Sequence, residues 1–199
     1  MGITNIMIRR LLVAILILIA PLAGCTGDSN DLQKIPDFTL LTEGDPISSE
    51  SYENKAYVIV FSAQWCGTPC HNNMHNLNLT SARMAEQGFC CEFIEVLVIS
   101  TDVDEEPNGV TLSMWKESVD QYDDDKELNQ TLEYTFSRVD PTNNFASSMG
   151  IDAPGTVIFV DYLGYETHRQ IGSFGAYNDQ ATLDIIESHW LDASQIILD

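Results

Sequence analysis

The sequence predicts an α/β fold, and three observations predict it. Two continuous apolar runs, "KAYVIVFSA" (Lys55 to Ala63) and "EFIEVLVIS" (Glu92 to Ser100), have the pattern of strands buried on both faces of a sheet. Each leads into a stretch with apolar residues at helical spacing. A third apolar run, Thr156 to Asp161, is separated only by "YLG" and its flanks from Glu166 to Gly172, the pattern of an antiparallel hairpin.

Taken in order, "DFTLL" (Asp37 to Leu41) is a short strand closed by the turn-like "EGDP". After the first buried strand, a helix is expected from about Pro69 to Gln87. Met74, Leu77, Met84 and Ala85 are on its buried side, and Gly88 stops it. The acidic loop "TDVDEEPNG" follows the second buried strand. Val110 to Tyr122 then repeats Leu112, Trp115 and Val119 at helical spacing. "DDDKE" (Asp123 to Glu127) reads as a solvated loop and lacks the glycine of a calcium-binding turn. Pro141 to Gly150 is a short helix ending at its glycine. The chain closes with a helix capped by Asn178 or Asp179 that carries Leu183, Ile186, Trp190 and Leu191 on one face.

A chain of 199 residues, 44% hydrophobic, can bury one proper core without disulfide staples. Its formal charge of −21 arises from 30 acidic against 9 basic residues, so it is an acidic protein. No Lys/Arg cluster occurs past the first ten positions. Nucleic acid and anionic membrane surfaces are therefore poor partners on electrostatic grounds.

The first residues read as a processing segment. Arg9 and Arg10 precede an apolar run, Leu11 to Ala23, that is shorter than the ~20 residues of a spanning helix. "LAGC" (Leu22 to Cys25) then matches the lipobox of bacterial-type lipoproteins, in which the cysteine is lipidated and becomes the new N-terminus. Residues 1–24 are thus expected to be a lipoprotein signal peptide, Cys25 the lipidation site, 25–34 a tether, and 35–199 the folded domain. The expected location is outside the cytoplasm, anchored to a membrane through Cys25. Disulfides can persist there.

That leaves Cys66, Cys70, Cys90 and Cys91. "WCGTPC" (Trp65 to Cys70) directly follows a buried strand, which places Cys66 at a helix N-terminus. There, unpaired amides and the helix dipole favour a thiolate, the species that attacks disulfides. Cys66 is the expected nucleophile and Cys70 the resolving thiol. Thr68 is expected to cap the helix, with Pro69 at its first position and Gly67 absorbing the extra spacer residue. Four residues of separation at a helix start allow the Cα approach a disulfide requires. Cys90 and Cys91 read as small apolar residues before a strand; a vicinal disulfide or a shuttle pair is the alternative.

"IPDFTLL", "KAYVIVFSAQWCGTPC", "EVLVIS", "MGIDAPGTVIFVDYLGYE" and "QIGS" occur in the order and spacing of the TlpA/ResA-like redoxins, and the sequence resembles that family over most of residues 35 to 192. The resemblance implies a thioredoxin-like three-layer fold, a central mixed sheet flanked by helices. It also implies a thiol-disulfide oxidoreductase acting on protein thiol or disulfide clients with no cofactor. Pro154 aligns with the family's substrate-facing cis-proline, and Trp65 would shield one side of the reactive sulfur. This sequence departs from the family in its "GTP" spacer, in Gly155 after the proline, and in Val60 where thioredoxins proper keep a buried acid. His71, Asn73 and His75 also replace a basic residue, a glutamate and a proline.

The rival reading is a metal clamp. Cys66, Cys70, His71 and His75 spell C-x3-C-H-x3-H, with both histidines on one helix face. Sco copper chaperones, which the spacing also resembles, use a distant histidine before the hairpin, and "DAPGT" offers none. His168 and His189 read as ordinary surface or core histidines. A peroxidase of the peroxiredoxin kind expects a threonine where Ala63 stands. An exported interaction domain with an idle site is the remaining alternative.

Overall fold

A computed structural model describes residues 32–87, 94–102, 104–124, 131–139, 142 and 145–195. The signal segment, residues 25–31 of the tether including Cys25, Gly88 and the Cys90–Cys91 pair lie outside the described residues.

The described residues form one mixed sheet between two layers of packing. In chain order the elements are β1 (Thr39–Leu41), β2 (Ile47–Ser48), β3 (Tyr57–Ser62), α1 (Thr68–Glu86), β4 (Val96–Ser100) and α2 (Leu112–Asp124). Then come β5 (Thr135–Val139), α3 (Phe145–Ser148), β6 (Thr156–Val160), β7 (Glu166–Ile171) and α4 (Gln180–Gln195). The sheet runs β2-β1-β5-β4-β3-β6-β7. β3, β4 and β5 are parallel, while β6 and β7 continue antiparallel as the expected hairpin.

Alternation of side chains along the buried strands builds the two cores. Val58 and Val60 of β3 and Val96 and Val98 of β4 face a cluster with Met74 and Leu77 of α1, Trp115 and Val119 of α2, and Ile186 and Trp190 of α4. Tyr57, Ile59 and Phe61, with Leu97 and Ile99, face the other way onto Phe38, Tyr52, Phe145 and Met149. Every residue of β3, β4 and β6 is buried, which is why these runs are continuously apolar rather than alternating.

Two strands escape the sequence reading. β2 is two residues long. β5, "TFSRV", interleaves polar and apolar residues and earns its place through parallel pairing with β4, Val98 opposite Phe136. Ala85, expected on the buried side of α1, is exposed; the buried face instead carries Asn73, His75, Asn76, Thr80 and Ser81 beside Met74, Leu77 and Met84. The Asp179 cap is formed, its carboxylate accepting from the Thr182 N–H at 3.0 Å. Among the described residues no helix is long and apolar enough to cross a membrane.

Candidate active site

The chain leaves β3 at Ser62 and makes a tight turn in which the Cys66 N–H donates to the Ala63 carbonyl at 3.0 Å. Gly67 follows with φ +59° and ψ −147°, a conformation that side chains disfavour. This glycine, not Thr68, is the N-cap of α1. Thr68 and Pro69 are the first helical residues, because glycine readily takes the combination of positive φ and extended ψ that swings the chain from turn into helix. No side chain caps this end, and Pro69 brings no amide hydrogen to be left unpaired there. The first helical bond runs from the His71 N–H to the Gly67 carbonyl at 3.1 Å.

Cys66 and Cys70 form a disulfide with Cα atoms 5.8 Å apart, within the usual ~4.4–6.8 Å range. The two sulfurs are unequal. Cys66 is half-buried at the open end of the helix, whereas Cys70 is 1% exposed and packs in the cluster that holds Val60 and Met74. Val60 leaves this floor apolar.

Trp65 is 63% exposed, and its indole N–H donates to the Asp102 carboxylate at 2.9 Å. The loop after β4 therefore holds the ring in place beside Cys66. Pro154 lies at the entry to β6, next to the end of β3 from which the dithiol turn departs; in the sheet, Phe61 is opposite Thr156. Its peptide bond is trans, which corrects the cis-proline expectation. Gly155, with φ +101°, makes the bend, and its N–H donates to the Phe61 carbonyl at 2.8 Å.

Polar residues of α1 hold the segment that follows β7. The Asn73 side chain donates to the Gly172 carbonyl at 3.0 Å and accepts from the Phe174 N–H at 3.0 Å. Asn76 donates to the Ala176 carbonyl at 3.1 Å and accepts from the Asn178 N–H at 2.9 Å. Asn72 accepts from the Tyr122 hydroxyl at 2.9 Å. Sequence reasoning missed this strap. The available signal was the run "HNNMHNLN", since asparagine is a poor helix-interior residue unless its amide finds partners elsewhere.

His71 and His75 do share one side of α1, and both rings pack on Tyr122, at centroid distances of 4.9 and 5.7 Å. His75 is fully buried, and its Nε2 lies 2.8 Å from the Val119 carbonyl, which makes that nitrogen the donor. Burial, with His75 nearby as a second cause, pushes His71 down to about 4 from an ordinary 6.5. His71 is thus built in as a neutral packing group. Among the described residues no three His, Cys, Asp or Glu side chains gather where a metal could be held. His168 and His189, expected as ordinary surface or core histidines, stack on each other between β7 and α4 with centroids 3.3 Å apart. Burial lowers both from their ordinary value, against the pull of Asp192.

A family model for redoxins matches residues 31–184. Among curated proteins none matches. Among solved structures, a thiol:disulfide interchange protein of the thioredoxin family from Chlorobium tepidum is 21% identical with a TM-score of 0.51, covering 82% of this chain and 99% of that one. Yeast Sco1 with copper bound is 14% identical with a TM-score of 0.57, covering 77% of this chain and 90% of that one. A SCO1/SenC family lipoprotein from Bacillus anthracis is 13% identical with a TM-score of 0.52, covering 83% and 98% respectively. These likenesses are of fold, and they confirm the thioredoxin-like three-layer arrangement expected from the sequence.

Proposed function

The chain belongs to the redoxin family, and from that premise we propose that it is a thiol-disulfide oxidoreductase working through Cys66 and Cys70. The observation that carries the reading is the inequality of the two sulfurs. Cys66 is reachable at the glycine-opened N-terminus of α1, and Cys70 is sealed behind it at bonding distance. Helix amides and the dipole stabilise a thiolate at Cys66 once the pair is reduced.

In the exchange, the Cys66 thiolate attacks one sulfur of a client disulfide. The client S–S bond breaks, and its second sulfur leaves as a thiolate that takes up a proton. The Cys70 thiol, giving up its proton, then attacks Cys66 in the mixed disulfide and releases the client's remaining thiol. Two electrons pass to the client and the Cys66–Cys70 disulfide is restored. The reverse sequence oxidises a client dithiol.

Alkylation followed by mass spectrometry in redox buffers tests the reading. Reversible formation of a Cys66–Cys70 disulfide is expected between roughly −300 and −100 mV, the range of known dithiol proteins. A pair that stays wholly reduced or wholly oxidised across that range overturns it.

We also propose that Cys25 is lipidated and that residues 25–34 tether the domain outside the cytoplasm. The motive is the ordered Arg9-Arg10, apolar run and "LAGC". Cys25→Ser should move the protein out of the membrane fraction, and unchanged fractionation would count against the anchor. The copper-carrying reading draws on the three-residue spacer, but it needs a third ligand, and none joins the cysteines among the described residues. Stoichiometric Cu(I) uptake lost in Cys66→Ser and Cys70→Ser would reinstate it.

A further inference from the structure

We propose that Asn73 is a positioning residue: it ties the helix bearing the Cys66–Cys70 pair to the Pro154–Gly155 loop and so sets where a client's backbone lies against the disulfide. The proposal rests on the oxidoreductase reading above. Asn73 sits three residues beyond Cys70 on α1 and is only 1% exposed, so its amide must be satisfied inside the protein. Both ends are. The NH2 group donates to the Gly172 carbonyl and the oxygen accepts from the Phe174 N–H, each at 3.0 Å. Only this orientation of the amide matches both partners.

The hydrogen bonding continues past Gly172. The Gly172 N–H donates to the Gly155 carbonyl at 2.8 Å, and the Gly155 N–H donates to the Phe61 carbonyl at 2.8 Å. One line of hydrogen bonds thus runs from α1 through Gly172 and Gly155 into β3, whose next residues lead to Cys66. Pro154 is bonded directly to Gly155, so this line determines its place relative to the helix. Gly155 and Gly172 both hold positive φ, +101° and +85°, and neither is inside a regular element that would fix it independently.

Residue type matters at position 73. An aliphatic side chain would leave the half-buried Gly172 carbonyl and Phe174 N–H without these partners. A carboxylate could accept from Phe174 but would face the Gly172 carbonyl with no proton to donate. Asn76 makes the same kind of double contact farther along, to Ala176 and Asn178, and does not connect to Gly155. It is therefore the natural control for a purely structural loss.

The test compares two substrates. The full chain, reduced with dithiothreitol and freed of it, is mixed in single turnover with a short peptide disulfide or with 5,5′-dithiobis(2-nitrobenzoate), which has no peptide backbone to seat. In either case the protein dithiol supplies two electrons and the added disulfide is reduced. Asn73→Ala should slow the peptide reaction about tenfold while leaving the small-molecule reaction within about twofold, because misplacing a binding loop costs orientation rather than thiolate reactivity. Asn76→Ala should lower the melting temperature and leave both rates unchanged.

If Asn73→Ala slows both reactions alike, or matches Asn76→Ala in both, the positioning role is overturned. Should Asn73→Ala not melt cooperatively, Asn73→Ser, which keeps a hydroxyl for Phe174, decides by the same two rates. A wild-type protein that reacts with neither reagent would instead sink the oxidoreductase reading and this proposal with it, a result distinct from a silent Asn73.

Discussion

α1 and α4 pack on the same face of the sheet and are joined by Arg83, which pairs with Asp184 at 2.9 Å and with Glu187, yet they are held down by different physics. α4 buries Leu183, Ile186, Trp190 and Ala193, an apolar stripe of the kind that any amphipathic helix shows. α1 buries Met74 and Leu77 but also Asn73, His75, Asn76 and Thr80. Apolar burial has no direction and tolerates sliding; hydrogen bonds from buried amides do not. The helix that carries the dithiol is therefore the one whose register against its neighbours is specified by polar contacts.

That contrast can be broken by mutation. Ile186→Ala should cost about 3 kcal/mol through lost burial and the cavity left behind. Asn76→Ala should cost about 2 kcal/mol, because the Ala176 carbonyl and Asn178 N–H lose their partners. Denaturant titrations of both variants check the order. Equal and small losses would mean that the polar strap is ornamental and that α1 is held by its apolar side alone.

Acid sharpens the same comparison with a smaller effect. His71 is held down at about 4 against an ordinary 6.5, so the fold favours its neutral form. Its contribution is fully present above about pH 6.5 and is lost as pH falls toward about 4, since the unfolded chain binds the proton first. His168 and His189 are also lowered and act in the same direction from the α4 side. Thermal melts should show stability declining over this window, with a shallower slope in His71→Phe. An unchanged slope in that variant would assign the acid sensitivity elsewhere.

Much of this was legible from residue order. β3, β4 and β6 announced themselves by uninterrupted apolar runs, because a strand covered on both faces has no polar side to display. The hairpin showed in its turn, where the buried Asp161 carboxylate accepts from the Leu163 and Tyr165 N–H groups at 2.9 and 2.8 Å. β5 was not legible: three of the five residues of "TFSRV" are polar, and only its neighbours bury Ser137, whose hydroxyl donates to the Val98 carbonyl. The start of α1 was misplaced by one residue, since threonine is the commoner cap and nothing local reveals that Gly67 holds a positive φ.

By itself, then, the sequence determined the α/β class, the buried strands and the cysteine pair after β3, because these depend on hydrophobic periodicity and on residues adjacent in the chain; its motifs carried the resemblance to redoxins. Tertiary structure alone decided which sulfur is sealed, that Pro154 is trans beside Gly155, that His168 meets His189, and that three asparagines strap α1 to the loop beyond β7. The sealing of Cys70, the histidine stack and the asparagine strap all join residues distant in sequence. A buried amide or ring acquires its role only from the partner that folding brings within reach.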